Sequence, residues 1–289
     1  MLRVIMAALV LAGGCGLQPR RAHRELTAVQ LAKVPEDAPR RASRHAADPV
    51  LASAPRRAPS PGRPAAALDD ESPEPPEQAA TREATVVKEV FFGDGDRPLV
   101  ALTFDDGPNP ATTRKLLHVL HEYGVPATFF VLGDRASKWP KLLADIRNDG
   151  HELGNHSWSH GSLRAMVPAQ IRDELDDTNA AIARVTGATP GLFRPPFGRY
   201  APSSLPIVAE RGMNYVLWSV DGLDWGSEAD EIAHRVVADT HSGDIVLLHD
   251  ATPKTAEALP AIIRGLRAKG LGFATVSDLT GLPAVASLD

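Results

Sequence analysis

The chain has 289 residues, 43% hydrophobic and 23% charged, with 31 basic against 36 acidic side chains and a formal net charge of −5. That is enough chain for one large or two modest domains, and too acidic for a protein that grips nucleic acid through a basic face. Cys15 is the single cysteine, which excludes an internal disulfide and a cluster of thiolates, so any bound metal must be held by His, Asp or Glu.

Residues 1–11 carry one Arg and then an apolar run too short to span a bilayer as a helix, which is the layout of an export signal. The run continues Leu11-Ala12-Gly13-Gly14-Cys15, which resembles the lipobox of bacterial lipoproteins with Ala12 standing where leucine is usual. The reading is a signal over 1–15 with Cys15 lipidated as a membrane anchor; an ordinary signal cleaved nearby is the alternative. Residues 16–88 hold 11 of the 25 prolines and none of the Phe, Trp or Tyr. Such a segment buries too little apolar surface to offset chain entropy, so it is expected to be a disordered Pro/Ala/Arg-rich tether with a reach of ~45 Å.

From about residue 89 to 289 the pattern is that of one compact domain. Strands are predicted over 99–104, 127–132, 152–154, 191–194, 215–220, 245–248 and 273–276, and helices over 111–123, 139–148, 168–186, 203–211, 229–240 and 255–269. Pro168 fits a helix start, and Gly187, Gly212 and Gly270 fit helix ends. Alternation of this length implies an α/β fold with a largely parallel sheet, open or closed into a barrel. Gly93-Asp94-Gly95-Asp96 fits a turn before the first of these strands, since it lacks the third glycine of a nucleotide-binding loop.

The stretch 99–108, LVALTFDDGP, ends an apolar strand in adjacent carboxylates, Asp105 and Asp106. Side chains alternate along an extended strand, so the two can serve different partners, one a metal and the other left free. An Asp-Gly-Pro sequence alone also fits a plain turn. Its weight comes from His156, His160, Arg194, Asp224, Trp225 and His249, each predicted where a strand finishes. His156 and His160 stand four apart in HSWSH, a spacing that puts both imidazoles on one side of a helical turn. With Asp106 they make the donor set of a catalytic zinc, and equally that of a non-haem iron oxygenase. His151-Glu152 is not the zincin motif, because the next histidine comes one residue too late and the segment is strand-like; His151 is read as structural.

Five segments in order, TFDDGP at 103–108, HSWSH at 156–160, RPPFG at 194–198, DGLDW at 221–225 and LLH at 247–249, resemble the motifs of the NodB-homology polysaccharide deacetylases, carbohydrate esterase family 4. The resemblance covers about residues 99–282. It implies a distorted (β/α) barrel and metal-dependent removal of N-acetyl groups from a β-1,4-linked sugar polymer; for a domain tethered in the envelope the expected polymer is an N-acetylglucosamine one, peptidoglycan ahead of chitin-like chains or poly-N-acetylglucosamine. It implies a divalent ion, Zn²⁺ or else Co²⁺ or another, on Asp106, His156 and His160. Asp105 would be the general base, paired with Arg194, and the Phe197 N–H would donate to the oxyanion. His249 would be the acid, with Asp224 or the competing Asp221 as its partner. Trp225 and Leu247 would line a slot for the acetyl methyl.

The iron-oxygenase reading leaves Asp105, Arg194, Asp224 and His249 without a task. A sugar-binding relative that has lost activity would be expected to lack a ligand or the base, and none is missing. Expected partners are the polysaccharide and, through Cys15, a membrane; neither nucleic acid nor a protein partner is expected. The expected location is outside the cytoplasm, in the cell envelope.

Overall fold

The computed structural model describes residues 24–26 and 87–286. Cys15, its signal-like flank and nearly all of the predicted tether lie outside them. Three residues of that tether form a strand, β1 (Arg24–Leu26), antiparallel to β2 (Val87–Val90). The first half of the domain is β3 (Leu99–Gly107), α1 (Thr113–Tyr123), β4 (Thr128–Val131), α2 (Gly133–Lys138), α3 (Pro140–Asn148), β5 (Glu152–Asn155) and α4 (Pro168–Thr186). The second half is β6 (Leu192–Phe193), α5 (Ser204–Ala209), β7 (Asn214–Val216), β8 (Val220–Asp221), α6 (Ala229–Asp239), β9 (Ile245–His249), α7 (Pro253–Ala268), β10 (Gly272–Phe273) and α8 (Val276–Thr280). Among these helices none is long and apolar enough to cross a membrane.

The strands lie in the order β1-β2-β7-β6-β5-β4-β3-β9-β8, with β10 added to β3. Apart from β1 with β2, every strand pair is parallel. Both faces of the central strands are covered, and Val100 to Gly107 and Thr128 to Val131 are buried without a break. That is why these segments read as apolar runs and not as alternating ones.

Outside the sheet, Leu116, Leu120, Ile146, Ile182, Ile262 and Leu266 of the helices pack on Val100, Leu102, Phe104 and Val246 of the strands. Each such side chain, fully buried, contributes about 1.5–3 kcal/mol. Inside the curl, Ala101, Phe130, Leu192, Val216 and Ile245 meet Ala274, Val276, Leu279 and Leu282. The C-terminal segment therefore plugs the interior. Pro168 opens α4, and Gly187 ends it with φ 79°, a conformation glycine adopts without a Cβ penalty.

Two predicted elements change, and a helix forms where none was predicted. The strand expected over 215–220 is two short strands with different neighbours, β7 against β2 and β6 and β8 against β9. The chain crosses from near one end of the sheet to the other through 217–219, which curls the sheet into an incomplete barrel. The strand expected over 273–276 ends at Phe273, because Thr275 caps α8 by accepting from the Asp278 N–H. The segment 133–138, left without structure by its sequence, is α2, and its start faces the site described next.

Candidate active site

Parallel strands deliver their C-terminal ends to one edge of the sheet. Asp105 and His249 are register partners across β3 and β9, and β5, β6 and β8 end close by at Asn155, Phe193 and Asp221. Between Asp105 and Gly107 the register of β3 against β4 slips, and Asp106 has φ 69°. This bulge re-aims one side chain, so the alternation expected for adjacent strand residues does not hold here. Both carboxylates approach the same ring: His156 Nε2 lies 3.7 Å from Asp105 Oδ2 and 3.5 Å from Asp106 Oδ1.

His156 and His160 are brought together by a loop and not by the helical turn their spacing suggests. Ser157 and His160 have φ 70° and 59°, outside the right-handed helical region. The ring centroids are 5.1 Å apart, and His160 Nε2 lies 3.4 Å from Asp106 Oδ1. His156 Nδ1 donates to the Arg194 carbonyl at 2.7 Å, which leaves Nε2 as the ring atom facing the carboxylates. One ligating atom each from Asp106, His156 and His160 lies within 4.8 Å of the others.

Asp106 Oδ1 is buried and accepts no hydrogen bond among the described residues. Burial alone would raise this carboxyl's pKa, but the facing imidazoles outweigh it and hold the pKa well below the usual range. An unsatisfied buried oxygen aimed at two imidazole nitrogens is an arrangement that a divalent cation would complete. The donor set of two nitrogens and one oxygen with positions left open suits Zn²⁺.

Asp105 is fixed from the other side. Arg194, entirely buried, gives Nη1 to Asp105 Oδ1 at 2.7 Å and to Thr103 Oγ1 at 2.7 Å. Its Nε and Nη2 go to the Val216 and Leu217 carbonyls at 3.2 and 3.0 Å. The guanidinium lies 4.1 Å from the Phe130 ring centroid and 5.7 Å from that of Trp218. Only one nitrogen reaches the carboxylate, and the other two anchor the arginine to the sheet.

Of the two carboxylates in DGLDW, Asp224 is the one that meets His249: Oδ1 takes Nδ1 at 2.7 Å, and Oδ2 takes the His249 N–H at 2.8 Å and the Thr255 hydroxyl. Asp221 instead accepts the Leu223 N–H at 2.9 Å, closing its own turn. Burial lowers the His249 pKa, but Asp224 more than compensates and raises it to about 9. The Trp225 ring, half exposed, stands 4.9 Å from that of His249, while Leu247 is buried in β9 beneath it. Phe197 has φ 60° and sets its ring edge-on to His160 at 4.6 Å.

Among the described residues, five that are not glycine have positive φ: Asp106, Ser157, His160, Phe197 and Leu223. All five belong to these loops, and such conformations persist only where the surroundings over-determine them. Several supports escaped the sequence reading. Thr103 and Thr255 hold Arg194 and Asp224, and Arg135 donates to the Asp106 carbonyl at 2.6 Å. Asp250 takes the Thr112 and Thr113 hydroxyls, so that a Cβ on Gly107 would meet its Oδ2 at 2.3 Å. No spacing rule announces them, because each partner lies between about 30 and 140 residues away.

Residues 92–216 match the family model described as Polysaccharide deacetylase. The chain is 37% identical over 195 residues to a peptidoglycan-N-acetylglucosamine deacetylase of Bacillus cereus, covering 65% of this chain and 70% of that one. It is 38% identical over 187 residues to the peptidoglycan-N-acetylmuramic acid deacetylase PdaC of Bacillus subtilis, covering 64% of this chain and 39% of that one. Against the crystal structure of the Bc1960 peptidoglycan N-acetylglucosamine deacetylase the TM-score is 0.65 at 35% identity, over 68% of this chain and 94% of that one.

Proposed function

This chain belongs to the polysaccharide deacetylase family, and from that premise we propose that it is a metal-dependent hydrolase removing N-acetyl groups from peptidoglycan. The observation that carries the reading is the buried Asp106 Oδ1, which accepts no hydrogen bond among the described residues and faces two imidazoles, with the register partners Asp105 and His249 beside it at the strand ends. Asp106, His156 and His160 would hold a divalent ion, Zn²⁺ by its donor set, which when bound polarises the acetyl carbonyl and lowers the pKa of water beside it.

The protein's own groups do the rest. Asp105, held in place by Arg194 at 2.7 Å, takes the proton of the attacking water. The Phe197 N–H, held by its positive φ, donates to the carbonyl oxygen as negative charge develops there. His249 starts protonated because Asp224 supports its charge, and it hands that proton to the departing amine. Trp225 and Leu247 border the place of the acetyl methyl. The iron-oxygenase alternative gives these pairs nothing to do, and an inactive sugar binder does not need an aimed base and a charged acid.

Release of acetate from peptidoglycan and from acetylated chito-oligosaccharide, before and after chelation and with Zn²⁺ or Co²⁺ returned, tests this. Turnover that survives exhaustive metal removal refutes it. A panel including acetylxylan and poly-β-1,6-N-acetylglucosamine then ranks the polymers.

An export signal over 1–15 and a lipid on Cys15, both outside the described residues, with a tether over 16–88 that includes the short strand β1, would place the domain in the cell envelope, held near a membrane. The lipobox-like run and its lone cysteine support this part of the proposal. Labelling with a palmitate analogue should disappear in Cys15→Ser, and labelling that persists removes the anchor.

A further inference from the structure

Resting on that metal-site reading, we propose that Glu174 of α4 is a positioning residue: it sets the shape of the loop 156–160 and through it the affinity of the Asp106-His156-His160 centre for its ion. The loop must keep two non-glycine residues, Ser157 and His160, at φ 70° and 59° with no helix to hold them. Its polar groups are therefore tied down one by one.

The carbonyls of Ser157 and Trp158 accept from the Gly133 and Asp134 N–H at the start of α2, at 3.0 and 3.2 Å. Asn155 Oδ1 takes the Ser157 N–H at 2.7 Å, and Ser157 Oγ takes the His160 N–H at 3.1 Å. The N–H of Trp158, the N–H of Ser159 and the Ser159 hydroxyl all go to one carboxylate. Glu174 Oε2 accepts both N–H groups at 2.8 Å, and Oε1 accepts the hydroxyl at 2.6 Å.

Bonds to an ionised acceptor are about twice as strong as neutral ones, so this carboxylate dominates the loop's restraint. From the next residue and from one turn beyond it, α4 also accepts the Asn155 amide, at the Leu175 carbonyl and at Asn179 Oδ1, at 3.0 and 2.8 Å. A single helix thus templates the segment from Asn155 to Ser159 without touching a ligating atom.

The test uses the purified full chain, with ion affinity read by chelator competition and site geometry by the visible absorption of bound Co²⁺. Glu174→Ala should weaken Zn²⁺ and Co²⁺ binding about tenfold, as outer-sphere substitutions do, and change the Co²⁺ bands. Glu174→Gln, which keeps one oxygen acceptor, should fall between Ala and the parent, while Asp173→Ala, exposed on the same helix, should match the parent. Parental affinity and parental Co²⁺ bands in Glu174→Ala overturn the inference and leave the proposed function standing. A parent that binds no ion, or binds it equally well as His156→Ala, overturns both. If Glu174→Ala fails to fold by circular dichroism, Glu174→Gln and Ser159→Ala decide: a two- to threefold loss of affinity supports the role, and no loss in either removes it.

Discussion

His151 and His156 flank the four residues of β5, the first 7% and the second 2% exposed, yet their surroundings are opposite. At the N-terminal end, His151 accepts the Ala127 N–H at 3.2 Å through Nδ1 and packs on Phe129 at 5.5 Å. Burial pushes its pKa down to about 4, against a small opposing pull from Asp149, so it stays neutral. At the C-terminal end, burial also works against charge on His156, but Asp105 and Asp106 reverse the direction. The difference teaches that burial does not assign a histidine its role. What faces the second ring nitrogen does, and Asp105 and Asp106 face it only at the C-terminal end.

The sharpest way to break this contrast is to remove each ring. His156→Ala should abolish ion binding and acetate release, whereas His151→Phe should leave both intact. The latter should cost about 1–3 kcal/mol of unfolding free energy for the stranded Ala127 N–H. Chelator competition and urea titration read the two effects, and ion loss in His151→Phe would erase the distinction between the ends.

Next in size is Asp105→Asn, expected to keep the ion and lower kcat by about 10²–10⁴, the range for a general base. If it loses the ion while Asp106→Asn retains it, the two carboxylates exchange roles.

A third effect is visible in pH. His249 has a folded pKa of about 9, above its ordinary 6.5, so its pairing with Asp224 stabilises the fold fully below 6.5 and ceases to as pH rises through about 9. The proton-donating limb of kcat should fall over the same upper range. Asp224→Asn leaves the burial and removes the opposing charge, so the limb should move to lower pH, and a pH–rate profile with an unmoved limb would refute the pairing.

The smallest effect belongs to the quiet end. Burial raises the Glu152 pKa despite its bonds to Ser277 and Thr128, so its favourable contribution is present at acid pH and is lost as pH rises through the raised value. Glu152→Gln should flatten that dependence in thermal melts, shift stability by about 1 kcal/mol or less, and leave ion affinity alone.

Much of this was legible in the chain itself, for reasons that differ by residue. Strand and helix alternation from residue 99 onward is local hydrophobic pattern, and it led to the parallel sheet. Asp106, His156 and His160, which meet, were selected because each was predicted at a strand end. The means by which they meet was not legible. The spacing of His156 and His160 suggested a helix where there is a loop, and DGLDW offered Asp221 and Asp224 as equals.

By itself, then, the amino-acid order determined which side chains are available to a site and which segments are apolar enough to be strands, since both depend on residue type and near-neighbour spacing. Tertiary structure alone decided the bulge that turns Asp106 toward its neighbours, the split of β7 from β8, the choice of Asp224, and the hold of Glu174 on a strained loop. Each depends on hydrogen bonds between residues far apart in the chain, whose partners become available only once the sheet has curled and the helices have packed against it.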